Sequence, residues 1–190
     1  MSIVVVRRGG RQAGFGLVEV AVALLVFSLG AVALAGLQIS ARRAGYEALQ
    51  RTEAALLAVD MLERIRGNRA RLADYASSGV GAASGSALPV PASDCRHLPC
   101  TPGQLRAQDL WEWEQALDGA AATRGGSGLV NALGCLRVSG RLVTVEIVWE
   151  GFRAQQPPPT GSCGSGRYGA AAERRQSLQM TSFIAAGEAG

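Results

Sequence analysis

The sequence predicts an α+β protein in which a long N-terminal helix packs on a small antiparallel β-sheet head with a second helix. Three observations predict this fold class. An apolar run beginning at residue 15 continues into a helical pattern as far as residue 66, a capped helix signal covers residues 101–117, and apolar residues alternate along 142–149. The 190 residues are enough for one domain with a modest core.

The first element is an apolar run long enough to cross a membrane. Every residue from Phe15 to Leu37 is apolar or small except Ser28 and one carboxylate, Glu19. An ionised residue at a bilayer centre costs about 2.5–3.5 kcal/mol on insertion scales and is usually paired. Glu19 is therefore either an incidental carboxylate at the level of the headgroups or one with a positive partner inside the membrane.

A short basic leader precedes the apolar run. It contains Arg7, Arg8 and Arg11, three of the 19 basic residues, so the rest of the chain has 16 basic against 15 acidic residues. The net charge of +4 thus belongs largely to the leader, and the remainder is close to neutral. The run is too long for a signal peptide and no small-residue cleavage site follows it. It predicts a retained span with a cytoplasmic N-terminus and an extracytoplasmic remainder.

The helical pattern continues beyond the span. A stripe of six apolar residues has helical spacing, and Gly67-Asn68 is a helix stop signal. We expect one helix from Phe15 to Arg66, about 75 Å long at 1.5 Å per residue. Because a bilayer needs much less, the second half should pack on the head. The stripe comprises Ala54, Leu57, Ala58, Met61, Leu62 and Ile65.

A second helix is predicted to begin after Thr101. Thr101 suits the N-cap, Pro102 the first helical position, and Gln104 completes a capping box. Exposed Trp111 and Trp113 would form a stacking platform for nucleic acid or sugar, but tryptophans at this spacing more often lie in a core. Four residues are predicted to lie on one face of the helix: Ala107, Leu110, Trp113 and Leu117.

The remaining elements predict a small antiparallel sheet. Cys135–Ser139 and Leu142–Trp149 are separated by two residues, Gly140-Arg141, which predicts a β-hairpin. Apolar residues alternate with Thr144 and Glu146 in the second strand, as in a sheet with one buried face. Residues 176–184 form a third predicted strand, and residues 76–93 and 155–169 are predicted loops.

Four cysteines in an extracytoplasmic head indicate two disulfides. Of the three possible pairings, we favour Cys95 with Cys100 at the start of the second helix, and Cys135 with Cys163 between the hairpin and the following loop. The alternative is a zinc site of Cys95, His97, Cys100 and Cys135. A single histidine and the absence of a C-x-x-C pair disfavour that metal site.

Nothing in the sequence indicates an enzyme. His97 is the only histidine, there is no G-x-S-x-G motif, and the glycine-rich residues 125–129 lack the Lys-Ser/Thr of a P-loop. We therefore expect no catalytic residues, no cofactor, no bound metal and no small-molecule substrate.

The segment Gly14-Phe15-Gly16-Leu17-Val18-Glu19, with its basic leader and apolar helix, resembles a type IV prepilin. The resemblance implies that prepilin peptidase cuts after Gly14 and methylates the new N-terminus at Phe15. It also implies that Glu19 is a charge at the contact between subunits. Gly16 departs from the family, in which Thr or Ser is usual at this position.

Two further segments resemble the PilV group of type IV pilus modification proteins, or minor pilins. They are LQRTEAALLAVDMLERIRGNRA, residues 49–70, and CTPGQLRAQDLWEWEQAL, residues 100–117. The resemblance implies partners: other minor pilins, the major pilin and a tip adhesin, with the inner membrane as the first location and the pilus as the second. A type II secretion pseudopilin is an alternative, and a DNA-uptake receptor is an alternative of another class.

The expected organisation has four parts. Residues 1–14 form the leader, 15–40 the transmembrane and filament-core half of the helix, 41–67 its amphipathic half, and 68–190 the globular head.

Overall fold

The computed structural model describes residues 14, 16–81, 84–119, 129–154 and 161–185. The basic leader, Phe15, most of the glycine-rich segment 125–129 and part of the predicted loop 155–169 lie outside the described residues. The chain divides into two compact units, residues 1–45 and residues 46–190.

The long helix α1 runs from Leu17 to Gly67, which confirms the prediction of one helix through the apolar run and the amphipathic stripe. Its first half, in the N-terminal unit, is exposed throughout. By length and composition this helix could cross a membrane. The helix ends at Gly67, as the stop signal predicts.

The second half of α1 forms one wall of the head's core. All six stripe residues are buried, together with Gln50. A 3₁₀ segment, Arg69–Tyr75, follows the helix. The Asn68 amide donates to the Tyr75 hydroxyl at 3.0 Å and to the Pro102 carbonyl at 2.7 Å, which joins the end of α1 to the start of the second helix.

Helix α2 runs from Pro102 to Leu117, as predicted, with both bonds of the Thr101–Gln104 capping box. Trp113 is fully buried and its indole N–H donates to the Leu57 carbonyl of α1 at 2.9 Å, so it is a core residue rather than part of a stacking platform. Of the four residues predicted to share one face, Ala107 is exposed. The buried face is centred on Leu110, Trp113 and Leu117, and Ala107 lies at its margin.

Within the described residues, four antiparallel strands form one sheet in the order β1-β2-β3-β4. Pairing of Ser139 with Leu142 confirms the two-residue hairpin, and Gly140 there has φ +59°. Strand β1 lies in a segment predicted to be a loop, so that part of the prediction is wrong. The strands are β1 (Ser77–Val80), β2 (Leu133–Ser139), β3 (Leu142–Glu150) and β4 (Arg175–Phe183).

Both faces of β3 are buried, whereas the alternating pattern predicts one. On the inner face, Val143, Val145, Ile147 and Trp149 belong to the main core with α1 and α2. On the outer face Val148 is fully buried and lies in a second cluster that includes residues of the segment after β3. The prediction fails because that segment covers half of the outer face. The second cluster comprises Leu133, Cys135, Val148, Cys163 and Tyr168.

Candidate functional site: the processing motif and the assembly helix

The predicted processing motif lies immediately before α1. Gly14 is exposed and outside the helix, and no described heavy atom lies within 4 Å of the position that a Cβ there would take. The carbonyl of Gly16 accepts the backbone N–H groups of Glu19 at 3.0 Å and Val20 at 3.2 Å, so the helical bonds begin here. Phe15, the predicted methylated residue, lies outside the described residues.

Glu19 is the acidic residue of the first turn of α1, and it is exposed. A carboxylate at this position interacts favourably with the positive end of the helix dipole. It shares one surface of the helix with Val20, Ala23, Leu24 and Phe27. Glu19 is therefore a single acid on an otherwise apolar helical surface.

From Leu17 to Leu37, helix α1 presents apolar or small side chains on every side except at Glu19 and Ser28. Leu17, Phe27 and Val32 are among its large apolar side chains, with exposed fractions of 90%, 75% and 73%. A helix that is apolar all round is stable only when lipid or other helices cover it. We therefore expect this part of α1 to associate with lipid or with other helices.

In the head, Arg64 joins α1 to α2 through three carboxylates. It contacts Asp60 at 2.8 Å on its own helix, and Glu112 at 2.7 Å and Asp109 at 3.4 Å on α2. Glu112 also accepts a hydrogen bond from Gln108 at 2.6 Å and forms an ion pair with Arg96 at 2.9 Å. Burial acts to raise the pKa of Glu112, but the hydrogen bonds from Gln108 and Arg64 outweigh it and hold that pKa below its usual range.

The hydroxyl of Tyr75 completes this network from the 3₁₀ segment by donating to Asp109 at 2.5 Å. Burial raises the pKa of Tyr75, and its bond to Asp109 adds to the effect. Burial also raises the pKa of Asp109, against the opposing effects of Tyr75 and Arg64. These contacts fix α1, α2 and the 3₁₀ segment to one another.

A buried ion pair lies on the outer face of the sheet. Glu146 has 1% of its side chain exposed and contacts Arg175 at 2.7 Å and Arg137 at 2.9 Å. Arg175 also donates to the Cys163 carbonyl at 3.0 Å. A Cβ on Gly161 would overlap the Glu146 carboxylate, so glycine lets the chain approach closely. The alternating pattern of β3 predicts an open face for Glu146, and a charged residue inside a strand is the only sequence signal of this pair.

The four cysteines form two disulfides, Cys95–Cys100 and Cys135–Cys163, with Cα–Cα distances of 5.5 and 5.9 Å. These are the pairings that the sequence favoured. The second disulfide holds the segment that covers the outer face against β2. With all four thiols in disulfides, the alternative zinc site lacks its thiolate ligands.

A helix that passes from apolar to amphipathic and packs on an antiparallel sheet with a second helix is the α+β architecture of type IV pilins. Two family models match the chain: "Prokaryotic N-terminal methylation motif" at residues 9–35 and "Tt1218-like: Type IV pilin Tt1218" at residues 36–111. By these two matches the chain is similar to Tt1218-like type IV pilins, a class of structural proteins, and it carries their N-terminal methylation motif. The motif implies processing by prepilin peptidase. No curated protein and no solved structure matches the chain.

Proposed function

We propose that the chain is a minor pilin of the PilV kind, which helps to initiate pilus assembly by helix–helix association with other minor pilins and with the major pilin. The observation that carries the proposal is the first half of α1, apolar on every side and exposed, with Glu19 as its one acid. Residues 49–70 and 100–117, which resemble the PilV group, support the minor-pilin assignment.

The proposed role of Glu19 follows from the chemistry of cleavage. A cut after Gly14 makes Phe15 the N-terminus and leaves a positive amine at the start of an apolar helix, where an unpaired charge is costly. Glu19 lies four residues further on, one helical turn away, and can offset its own amine. In a filament it meets the amine of the adjacent subunit, which neutralises the charge and fixes the axial register of the two helices.

The proposed location changes during the life of the chain. Residues 1–14 are removed, 15–40 anchor the protein in the inner membrane, and the amphipathic half, 41–67, and the head, 68–190, lie in the periplasm. Assembly then moves the protein to the pilus, where a tip adhesin is one of its partners. Co-purification from cells, with identification of the partners by mass, tests this set of contacts.

Substitution of Glu19 tests the function directly. Glu19→Ala should leave cleavage and membrane insertion intact but reduce the amount of the chain in sheared pili, and Glu19→Asp, with its shorter arm, should fall in between. Glu53→Ala is a matched control, because Glu53 is an exposed acid on the head portion of the same helix. Normal incorporation of Glu19→Ala would show that the carboxylate is only a solvated interfacial residue.

A further inference from the structure

The two edges of the sheet differ in how they are protected. Strand β1 has four residues, and its register shifts between Ser77 and Val80. Strand β4 has nine residues and pairs with β3 without a shift from Arg175 to Phe183. Short strands, bulges, prolines and charged residues normally protect an edge from pairing with another chain. Strand β4 has no proline, and its one charged residue is the first.

The backbone of β4 offers regularly spaced hydrogen-bonding groups along this edge. The Gly151 N–H donates to the Arg174 carbonyl at 2.8 Å, and the Ile184 N–H donates to the Arg141 carbonyl at 2.9 Å. Because these two bonds flank β4 at residues 174 and 184, the even-numbered residues of β4 are the ones that bond to β3. In an antiparallel strand the bonding direction alternates from residue to residue. Ser177, Gln179 and Thr181 therefore direct their N–H and C=O groups away from β3. In the described part of the sheet, no strand lies beyond β4.

The side chains show that the core is incomplete along the same edge. Met180 pairs with Val145 and Leu178 pairs with Ile147. The two β3 side chains are fully buried, whereas their two β4 neighbours are only half-buried. A further strand with apolar side chains towards α1 would cover Leu178 and Met180 and bond to the free backbone groups.

We propose that β4 binds an extended strand of a partner pilin as a fifth strand of the sheet. This inference rests on the proposed function, since it names the head surface by which the chain contacts another subunit. The strand that fits is uncharged and free of proline, with alternate apolar residues facing α1. A second copy fits less well, because antiparallel pairing of two β4 strands would set their α1 helices in opposite directions. Chains anchored in one membrane run in the same direction.

Photo-cross-linking in pilus-producing cells tests the proposal with the full chain. A photoreactive phenylalanine analogue at Gln179 should give a covalent product with another pilin, and the same analogue at Ser78, exposed on β1, should not. Ser177→Pro removes one N–H that points away from β3, without removing a bond to β3. It should lower the yield of the cross-linked product from Gln179 by about tenfold. Ser177→Thr is its matched control and should retain the product.

A second variant protects the test against misfolding. Thr181→Lys keeps the backbone but adds a charge to the edge, and it should lower the yield in the same way. A product that persists in both Ser177→Pro and Thr181→Lys would show mere proximity of side chains and overturn strand pairing. No product from Gln179, or a product with a protein other than a pilin, would overturn it as well. If the unsubstituted chain is found in sheared pili, such a failure leaves the proposed function intact.

Discussion

The indole ring of Trp113 occupies the space in which a side chain at residue 134 would stand. A Cβ built on Gly134 of β2 would lie 2.5 Å from Cζ3 of that ring. The same indole donates its N–H to Leu57 of α1. One tryptophan thus ties both the sheet and the long helix to α2, and the missing side chain at Gly134 makes that packing possible.

Gly134→Ala should therefore destabilise the head by about 1–3 kcal/mol or more, because overpacking forces the indole and the backbone apart. Thermal unfolding of the detergent-solubilised chain, followed by tryptophan fluorescence, measures the loss. Gly103→Ala is the control. Gly103 lies in the first turn of α2, where the Arg71 guanidinium is the one described group within 4 Å of an added Cβ, and alanine favours the helix there. Equal melting temperatures for both variants would contradict the packing argument.

Glu146→Gln should cost about 3–5 kcal/mol, since it removes the carboxylate that faces the buried guanidinium of Arg175. Glu150→Gln is the control at the end of the same strand. Glu150 pairs with Arg174, whose side chain is 53% exposed, and such pairs contribute about 1 kcal/mol or less. The same unfolding assay compares the two. If the two variants lost the same free energy of unfolding, the ion pair between Glu146 and Arg175 would not be buried.

Glu112 should make the contact between α1 and α2 sensitive to acid. Its pKa is lower in the folded state than in the unfolded chain, so the unfolded chain binds the proton more readily. Its contribution to stability is therefore fully present above the usual glutamate pKa and is lost as the pH falls through the lowered value. Stability measured against pH should fall less steeply on the acid side for Glu112→Gln than for the unsubstituted chain. If stability fell equally steeply with acid for both chains, Glu112 would not be the source of the acid sensitivity.

Cleavage should occur between Gly14 and Phe15, so that the mature chain begins with an N-methylated Phe15. Intact-mass and N-terminal peptide analysis of the membrane-bound protein measures both features. Gly14→Leu should leave the precursor uncut, because the resemblance rests on a small residue at that position. Gly10→Leu, a matched substitution in the leader, should still be cut. A mature protein that begins at Met1, or one cut between Leu37 and Ala41, would rule out cleavage after Gly14.

The helices could be predicted from the sequence because their signals are local. The apolar stripe of α1 has the helical period, and the capping box at Thr101 specifies the start of α2 within a few residues. The two-residue loop at Gly140-Arg141 likewise specifies its hairpin. Each of these features depends on residues only a few positions apart in the chain.

Strand β1 and the covered outer face could not be predicted, because they depend on distant residues. Ser77–Val80 has a weak strand sequence, and it becomes a strand by pairing with Gly134 and Leu136 of β2. Glu146 looks like a solvent-facing residue until Arg175, 29 positions later, meets it. The assignments of Gly14, Phe15 and Glu19 rest on the prepilin motif, and they stay predictions until cleavage and assembly are measured.

Because Arg175 follows Glu146 by 29 positions, the ion pair between them can form only late in synthesis of the head. A polypeptide that has emerged only as far as β3 already contains α1, α2 and three of the four described strands. Of its two described ion-pair partners, Glu146 has only Arg137 of β2 at that stage, because Cys163 and Arg175, which complete its burial, have not yet been synthesised. A chain truncated before β4 would lack the Arg175 guanidinium and therefore one of the two described ion pairs of Glu146. Full pairing of this buried carboxylate therefore depends on synthesis of β4.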